Sequence, residues 1–124
     1  MAKAGYVDGY VFPVPKKKTA AYKKICAEAR AAWMRFGALD YKECIIEDSN
    51  PYKAAYTFNT MVRPKAGEAV WFSFVVYKSK AQRNAVNKKV MAYFSKKYGS
   101  NMENMQMPMD PKRMATAGFK VVVG

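Results

Sequence analysis

The sequence predicts one α+β domain of ferredoxin-like order, β-α-β-β-α-β, in which helices cover one face of an antiparallel sheet. Three observations support this prediction. Apolar residues alternate with a period of two in four segments and recur at helical spacing in two others, in the order that two split β-α-β units require. The connections, of about twenty residues, suit right-handed crossovers. The 124 residues match the length of one domain, which we assign to residues 1–124.

The first predicted strand covers residues 6–14. Its small apolar residues alternate with a second set that contains Asp8, Tyr10 and Phe12. One face of the strand therefore carries small side chains, and the other carries aromatic rings and a carboxylate. Prolines then end the strand, because proline has no N–H group to donate to a neighbouring strand.

A helix and a second strand follow. Residues 16–36 carry apolar side chains at helical spacing, and Gly37 stands where a left-handed cap ends a helix. Residues 38–47 return to period two and place Tyr41 and Glu43 on the same side. This pattern predicts a strand with one face against the helices.

The middle of the chain contains its clearest strand. Residues 68–77 are almost continuously apolar, which is typical of a central strand that is covered on both faces. The preceding residues 48–67 combine turn signals with an apolar patch. They fit a strand extension as well as a short helix.

The last predicted elements are a helix and a strand. Ser79 can cap the helix, whose apolar stripe also contains the polar residues Arg83 and Asn87. Residues 100–113 are rich in methionine and predict a loop that packs onto the domain. Residues 114–123 supply the fourth strand.

The predicted sheet has one face without helices. We place the aromatic side chains of Tyr10, Phe12 and Tyr41 on this open face, where they would expose more apolar surface than a monomer tolerates. Two such faces can pack against each other and exclude water from both. We therefore expect a homodimer.

The composition excludes several kinds of chemistry. The absence of histidine removes the usual general base, the Ser-His and Cys-His pairs and imidazole-bound metals. The 7 glycines form no phosphate-binding loop, so we expect neither a cofactor nor a metal. Cys26 and Cys44 are too few for a disulfide framework, and we expect both to be buried thiols. Without a secretory signal, the expected location is the cytoplasm.

The formal net charge of +13 makes an acidic partner worth considering. Most of the charge comes from lysines, which are spread over both predicted helices and the ends of elements. The chain has few arginines, no nucleic-acid reader motif and no apolar run that could cross a bilayer. We interpret the charge as a solvated surface and expect neither nucleic-acid binding nor membrane insertion.

Several short blocks, in order along almost the whole chain, resemble one family of bacterial proteins. The blocks are Tyr6–Val11, Val14–Pro15, Trp33, Gly37–Tyr41, Glu43–Cys44, Phe72–Ser73, Val76–Ser79, Arg83, Ala85–Asn87, Val90–Ala92, Met107–Pro108, Lys112–Met114 and Gly118–Phe119. On these residues the chain is similar to the uncharacterised YbaA-like family, domain of unknown function 1428. The resemblance implies a ferredoxin-like member of the dimeric α/β-barrel superfamily, which includes cofactor-independent monooxygenases and stress-response proteins. It implies no settled function.

The chain departs from this family pattern at three places. Tyr93–Phe94 replaces an aspartate-proline pair and extends the second helix. Thr57–Asn59 stands in place of a Ser-Phe-Pro segment, and Met109 takes the place of a phenylalanine. These changes spare the strands.

The candidate binding site consists of Asp8, Tyr10, Tyr41, Glu43, Arg83 and Asn87. If Asp8 and Glu43 both face the open side of the sheet, they form an acidic spot among aromatic residues, where an ionised acid is unfavourable unless it is paired. They fit a general base or a ligand anchor beside the two tyrosines. They also fit structural ion pairs with Arg83, Lys112 or Arg113, which is the interpretation we favour. Arg83 and Asn87 either bind a carboxylate or carbonyl group of a ligand or hold a strand end.

Three functions remain open. The first is a homodimeric protein that binds a small, mostly apolar molecule between the sheet and its covering elements, with Asp8, Tyr41 and Glu43 at the polar end. The second is a cofactor-independent monooxygenase-like enzyme in which a carboxylate or tyrosine removes a proton, although the absence of histidine weighs against it. The third is a nucleic-acid or anionic-surface binder that uses the positive charge, and such binding would weaken steeply with salt.

Overall fold

The computed structural model describes residues 3–99 and 108–124 of the chain. Its main elements are β1 (Tyr6–Pro15), α1 (Thr19–Arg35), β2 (Asp40–Ile45), α2 (Phe58–Val62), β3 (Glu68–Tyr77), α3 (Lys80–Tyr98) and β4 (Ala115–Lys120). The strands form an antiparallel sheet in the order β2-β3-β1-β4, and α1 and α3 cover one of its faces. The predicted α+β fold of ferredoxin-like order is confirmed.

The element ends follow local signals. Lys16–Lys18 form a 3₁₀ turn, so α1 begins at Thr19, whose hydroxyl donates to the carbonyl of Lys16 at 2.7 Å. Gly37 has the predicted left-handed conformation, with φ of +118°. The second and fourth strands are shorter than predicted. The predicted loop at 100–113 lies largely outside the described residues, and its end at 111–113 forms a 3₁₀ turn.

A short helix, α2, resolves the two alternatives for residues 48–67. The hydroxyl of Thr57 caps it by accepting from the backbone N–H of Thr60 at 3.1 Å, and Arg63 ends it in the left-handed region. The ring of Phe58 contacts that of Phe72 on β3, with ring centres 6.1 Å apart. The helix therefore covers part of the sheet face that α1 and α3 leave open.

The aromatic side of β1 faces the helices, so the predicted open-face position of Tyr10, Phe12 and Tyr41 was wrong. Phe12 is only 1% exposed and packs edge-on against Tyr22 of α1. The ring of Tyr41 lies 5.8 Å from that of Trp33, also on α1. Removing large aromatic rings from water contributes more free energy than removing small side chains. The helices therefore cover the face of β1 that carries the rings.

The open face has aromatic residues of its own, and they come from the neighbouring strands. Phe72 on β3 and Phe119 on β4 are 41% and 57% exposed. Phe119 lies across Gly9 of β1, where an added Cβ would be 3.5 Å from its ring. The small residues of β1 thus leave room for aromatic rings from the neighbouring strands β3 and β4. The open face is apolar as expected, but its aromatic residues are not the ones predicted.

The two cysteines differ in burial. Cys26 on α1 is buried, as expected, whereas Cys44 is exposed, so the expectation for Cys44 was wrong. Cys44 pairs with Phe72 in the register of β2 and β3, on the open face of an edge strand. The long helices α1 and α3 cover the opposite face of the sheet and leave Cys44 exposed.

Two buried clusters join the sheet to its helices. One surrounds Tyr77, Val86 and Val90, and the other surrounds Phe12, Tyr22 and Trp71. Among the described residues, no helix has the length and apolar content needed to cross a membrane. The layer between sheet and helices is the part of the fold that positions the candidate site.

We expect Gly118→Ala to lower the free energy of unfolding by about 1–3 kcal/mol, measured by urea denaturation. A Cβ at Gly118 would overlap the ring and hydroxyl of Tyr6, and the Arg83 guanidinium, 5.1 Å from the centre of that ring, holds it in place. Gly9→Ala is the matched control, because its Cβ would make an ordinary contact with Phe119. Equal losses in the two variants would contradict this account of the packing.

Candidate ligand-binding cavity

A cavity of about 1110 Å³ lies between the helix-covered face of the sheet and the helices α1 and α3. Most of its wall is apolar. The rings that line it belong to Tyr10, Phe12, Tyr22, Trp33, Tyr41, Phe94 and Tyr98. Its volume is that of a site for a small molecule, at the upper end of the usual range.

The polar end of the cavity is built around Glu43. The period of two along β2 places Tyr41 and Glu43 on the same face, and the Tyr41 hydroxyl donates to Oε1 of Glu43 at 2.8 Å. The second oxygen, Oε2, is buried and has no hydrogen-bond partner among the described residues. Half of this carboxyl is therefore unsatisfied.

Burial raises the pKa of Glu43 above its ordinary value. The hydroxyl of Tyr41, the thiol of Cys26 and the hydroxyls of Ser73 and Tyr22 surround the carboxyl and offset part of this effect. In the described part of the chain, no lysine or arginine forms an ion pair with Glu43. Its surroundings therefore disfavour the charged form relative to a glutamate in water.

The neighbours of Glu43 hold their protons firmly. Burial, and secondly the charge of Glu43, raise the pKa of Cys26 to about 12. Burial, and secondly the charge of Asp8, raise the pKa of Tyr10 to about 12. The pKa values of Tyr22 and Tyr41 are raised too, mainly by burial. At neutral pH these groups act as hydrogen-bond donors, and Cys26 is not a nucleophile.

A second polar cluster joins β1 to α3. Asp8 is 4% exposed, and its Oδ1 lies 3.6 Å from Nη1 of Arg83. Nη2 of Arg83 donates to the hydroxyl of Tyr6 at 3.3 Å. Burial raises the pKa of Asp8, while Arg83 and then the Asn87 side chain act in the opposite direction. For Asp8, the structure contains the ion pair that the structural interpretation requires.

Asn87 supports a wall of the cavity. Its Oδ1 accepts from Nε1 of Trp33 and from the hydroxyl of Tyr77, both at 3.2 Å, and the indole N–H also lies 3.0 Å from that hydroxyl. These bonds fix the Trp33 ring, which lines the cavity. Arg83 and Asn87, the polar residues in the stripe of α3, thus bind groups of the protein itself.

The six predicted site residues fall into two groups. Tyr10, Tyr41 and Glu43 line the cavity, whereas Asp8, Arg83 and Asn87 form the cluster beside it. Both carboxyls lie on the helix-covered face, so the condition that both face the open side of the sheet is not met. Glu43 pairs with none of the three basic residues considered for it, and Arg113 binds Glu68 at 2.8 Å instead. A role of any of the six in ligand binding stays a prediction.

Sequence reasoning missed three residues around Glu43, namely Tyr22, Cys26 and Ser73. Ser73 interrupts the apolar run of β3 and is 5% exposed, so a lone hydroxyl in a buried strand was the available signal. Tyr22 and Cys26 lie one turn apart on α1 and look like ordinary core residues. In the ranges 3–99 and 108–124, no three His, Cys, Asp or Glu side chains are arranged to hold a metal ion.

The family model and the sequence relatives that match this chain name no activity. The family model described as "Protein of unknown function (DUF1428)" matches residues 5–111. The sequence is 37% identical over 119 residues to the uncharacterized protein YbaA of Escherichia coli (strain K12), covering 95% of this chain and 97% of that protein. The uncharacterized protein YbaA of Shigella flexneri matches with the same identity and coverage.

Two solved structures share the architecture. Both are dimeric ferredoxin-like proteins from an uncultured marine organism, with TM-scores of 0.61 and 0.63 and sequence identities of 12% and 9%. The first similarity covers 98% of this chain and 99% of that one, and the second covers 99% and 92%. At such low identity, these similarities concern the fold alone.

We expect Glu43→Gln to become more stable relative to the parent protein as the pH rises. The folded state holds the Glu43 proton more tightly than the unfolded chain, so the parent loses stability from the ordinary pKa of 4.5 upward to the raised pKa. Each unit by which the pKa is raised corresponds to about 1.4 kcal/mol. Urea denaturation across pH gives the difference, which levels off above the raised pKa.

Glu68→Gln is the control variant, and its stability relative to the parent should change with pH in the opposite direction. Its hydrogen bond with Arg113 lowers the pKa of Glu68, so this carboxyl adds stability above pH 4.5 that is lost as the pH falls through the lowered pKa. We expect Glu68→Gln to be less stable than the parent at neutral pH. A Glu43→Gln difference with that same sign would contradict an uncharged Glu43.

Proposed function

The chain belongs to the DUF1428 family of YbaA-like proteins, and we propose that it binds a small, mostly apolar molecule in the cavity between its sheet and helices. One observation carries this proposal: a cavity of about 1110 Å³ has aromatic walls and a half-satisfied carboxyl at one end. Apolar walls with a few convergent polar groups are typical of small-molecule sites.

Packing energetics support the proposal. The cavity is half open to solvent, so its apolar walls face water. A ligand that covers these walls removes apolar surface from water, and its binding stabilises the folded protein. In the proposed complex, Phe12, Trp33 and Phe94 contact the apolar body of the ligand.

The polar residues would orient the ligand. Tyr41 and Glu43 are joined by a hydrogen bond at one end of the cavity, and Ser73 lies beside them on β3. Asn87 accepts from the indole N–H of Trp33, whose ring lies next to that of Tyr41. Groups whose positions are held in this way lose little entropy when a ligand binds.

A monooxygenase-like reaction without a cofactor is the alternative function, and it would use the same cavity. The raised pKa of Glu43 brings this carboxyl closer to the range of a general base, so it could remove a proton from an activated phenolic or polyketide-like substrate. The chemical identity of the bound molecule separates this alternative from simple binding. Binding of nucleic acid or an anionic surface has no comparable site to support it.

We also propose that a second copy of the chain covers the open face of the sheet. Phe58, Phe72 and Phe119 are each between 40% and 60% exposed there, and they lie among small apolar residues of β1. The solved structures of similar fold are dimeric ferredoxin-like proteins. Pairing the faces of two copies would remove these rings from water.

Native mass spectrometry of the protein purified from its own host tests ligand binding. We expect a discrete excess mass that denaturation releases, and we expect Ala29→Trp to lose it because this substitution fills the cavity. Ala27→Trp, at an exposed position of the same helix, is the matched control and should retain the mass. A bare parent protein, or an unchanged excess mass in Ala29→Trp, would contradict the proposal.

Light scattering coupled to gel filtration tests the dimer. We expect the parent protein to be dimeric and Phe72→Glu to be monomeric, since each copy loses about 2 kcal/mol of apolar burial and the two charges repel. Ala27→Glu places the same charge on the helix side of the domain and should remain dimeric. A monomeric parent, or a dimeric Phe72→Glu, would refute sheet-to-sheet pairing.

A further inference from the structure

The polar end of the cavity contains several groups that can donate a hydrogen bond. The hydroxyls of Tyr22, Tyr41 and Ser73 and the thiol of Cys26 all approach the carboxyl of Glu43, and Tyr41 donates to Oε1. The other oxygen, Oε2, has no partner among the described residues. A proton on Oε2 therefore leaves one buried donor for a ligand to satisfy.

We infer that the ligand carries a neutral hydrogen-bond-accepting oxygen, a carbonyl group on a ring frame, which binds at Glu43 and Ser73. This inference rests on the proposed function and adds the chemical class of the ligand. A carbonyl oxygen has two lone pairs, so it can accept from the Glu43 carboxyl and the Ser73 hydroxyl together.

Charge and shape both favour such a group. A carboxylate ligand would place a second acid beside Glu43 in a region of low dielectric constant, which is unfavourable for either charge. A ring frame matches the walls, because the rings of Trp33, Tyr10 and Phe94 offer edges and faces for aromatic contacts. A neutral aromatic or alicyclic ketone combines both features.

Access to the carboxyl needs only a side-chain rotation. Oε2 is closed off from solvent, while other parts of Glu43 line the cavity. The terminal torsion of glutamate is soft, so the carboxyl can turn its hydroxyl toward the cavity without backbone movement. Ser73 lines the same part of the wall.

Titration of Glu43 should control this binding. The groups that face it are Tyr10 on β1, Tyr22 and Cys26 on α1, Tyr41 on β2 and Ser73 on β3. The tyrosines and the cysteine have raised pKa values, about 12 for Tyr10 and Cys26. Glu43 is therefore the first of these groups to change charge as the pH rises.

The test compares 2-acetylnaphthalene with 2-ethylnaphthalene, which has the same ring frame without the carbonyl oxygen. Quenching of tryptophan fluorescence reports binding, because Trp33 lines the cavity. We expect the ketone to bind more tightly, with about a five- to tenfold share of the preference coming from the one hydrogen bond that Glu43 donates. Glu43→Leu should lower the preference by this share and leave the part that Ser73 supplies, whereas Glu43→Gln should keep all of it because its amide donates.

A pH series tests the same bond. In the parent protein, the preference for the ketone should fall as the pH rises through the pKa of Glu43, because a carboxylate cannot donate, and in Glu43→Gln it should stay constant. Equal binding of the two compounds, a preference unchanged in Glu43→Leu, or a preference independent of pH in the parent would overturn the inference and leave cavity binding standing. Binding of neither compound would overturn both.

Discussion

The carboxyl of Glu43 lies between the sheet and the helices, and no lysine or arginine of the described ranges forms an ion pair with it. The properties of the site follow from this placement, because burial disfavours the carboxylate and raises the pKa of Glu43. Tyr41, two residues earlier on β2, satisfies one oxygen, and the second stays without a partner among the described residues. The same layer contains a large cavity with aromatic walls. A site of this kind is suited to a neutral ligand that satisfies the acid.

The alternation of β1 produces both surfaces that matter for function. Its large residues, including Tyr10 and Phe12, point toward the helices and line the cavity. On the other side, Gly9 leaves room for Phe119 of β4, which makes the open face apolar. Because the side chains of one strand alternate between the faces, the cavity and the proposed dimer surface depend on the same register. A change in that register would alter both.

Local signals made much of the fold predictable. The Ser79 hydroxyl caps α3 by accepting from the backbone N–H of Gln82 at 3.1 Å, and Gly37 ends α1 in the left-handed region. The face of β1 that meets the helices was not predictable, since alternation shows two faces without telling which one is covered. The exposure of Cys44 and the position of Ser73 beside Glu43 likewise depend on strand order and pairing. Those contacts join residues that lie far apart in the sequence.

The most direct test of the central claim is an NMR titration of the Glu43 side-chain carboxyl carbon, assigned by the signal that disappears in Glu43→Gln. We expect its midpoint to lie clearly above 4.5, the ordinary value for glutamate. Such a midpoint would show that the surroundings of the carboxyl at the polar end of the cavity disfavour its charged form. A midpoint at or below 4.5 would show a solvated or paired carboxylate and would contradict that claim.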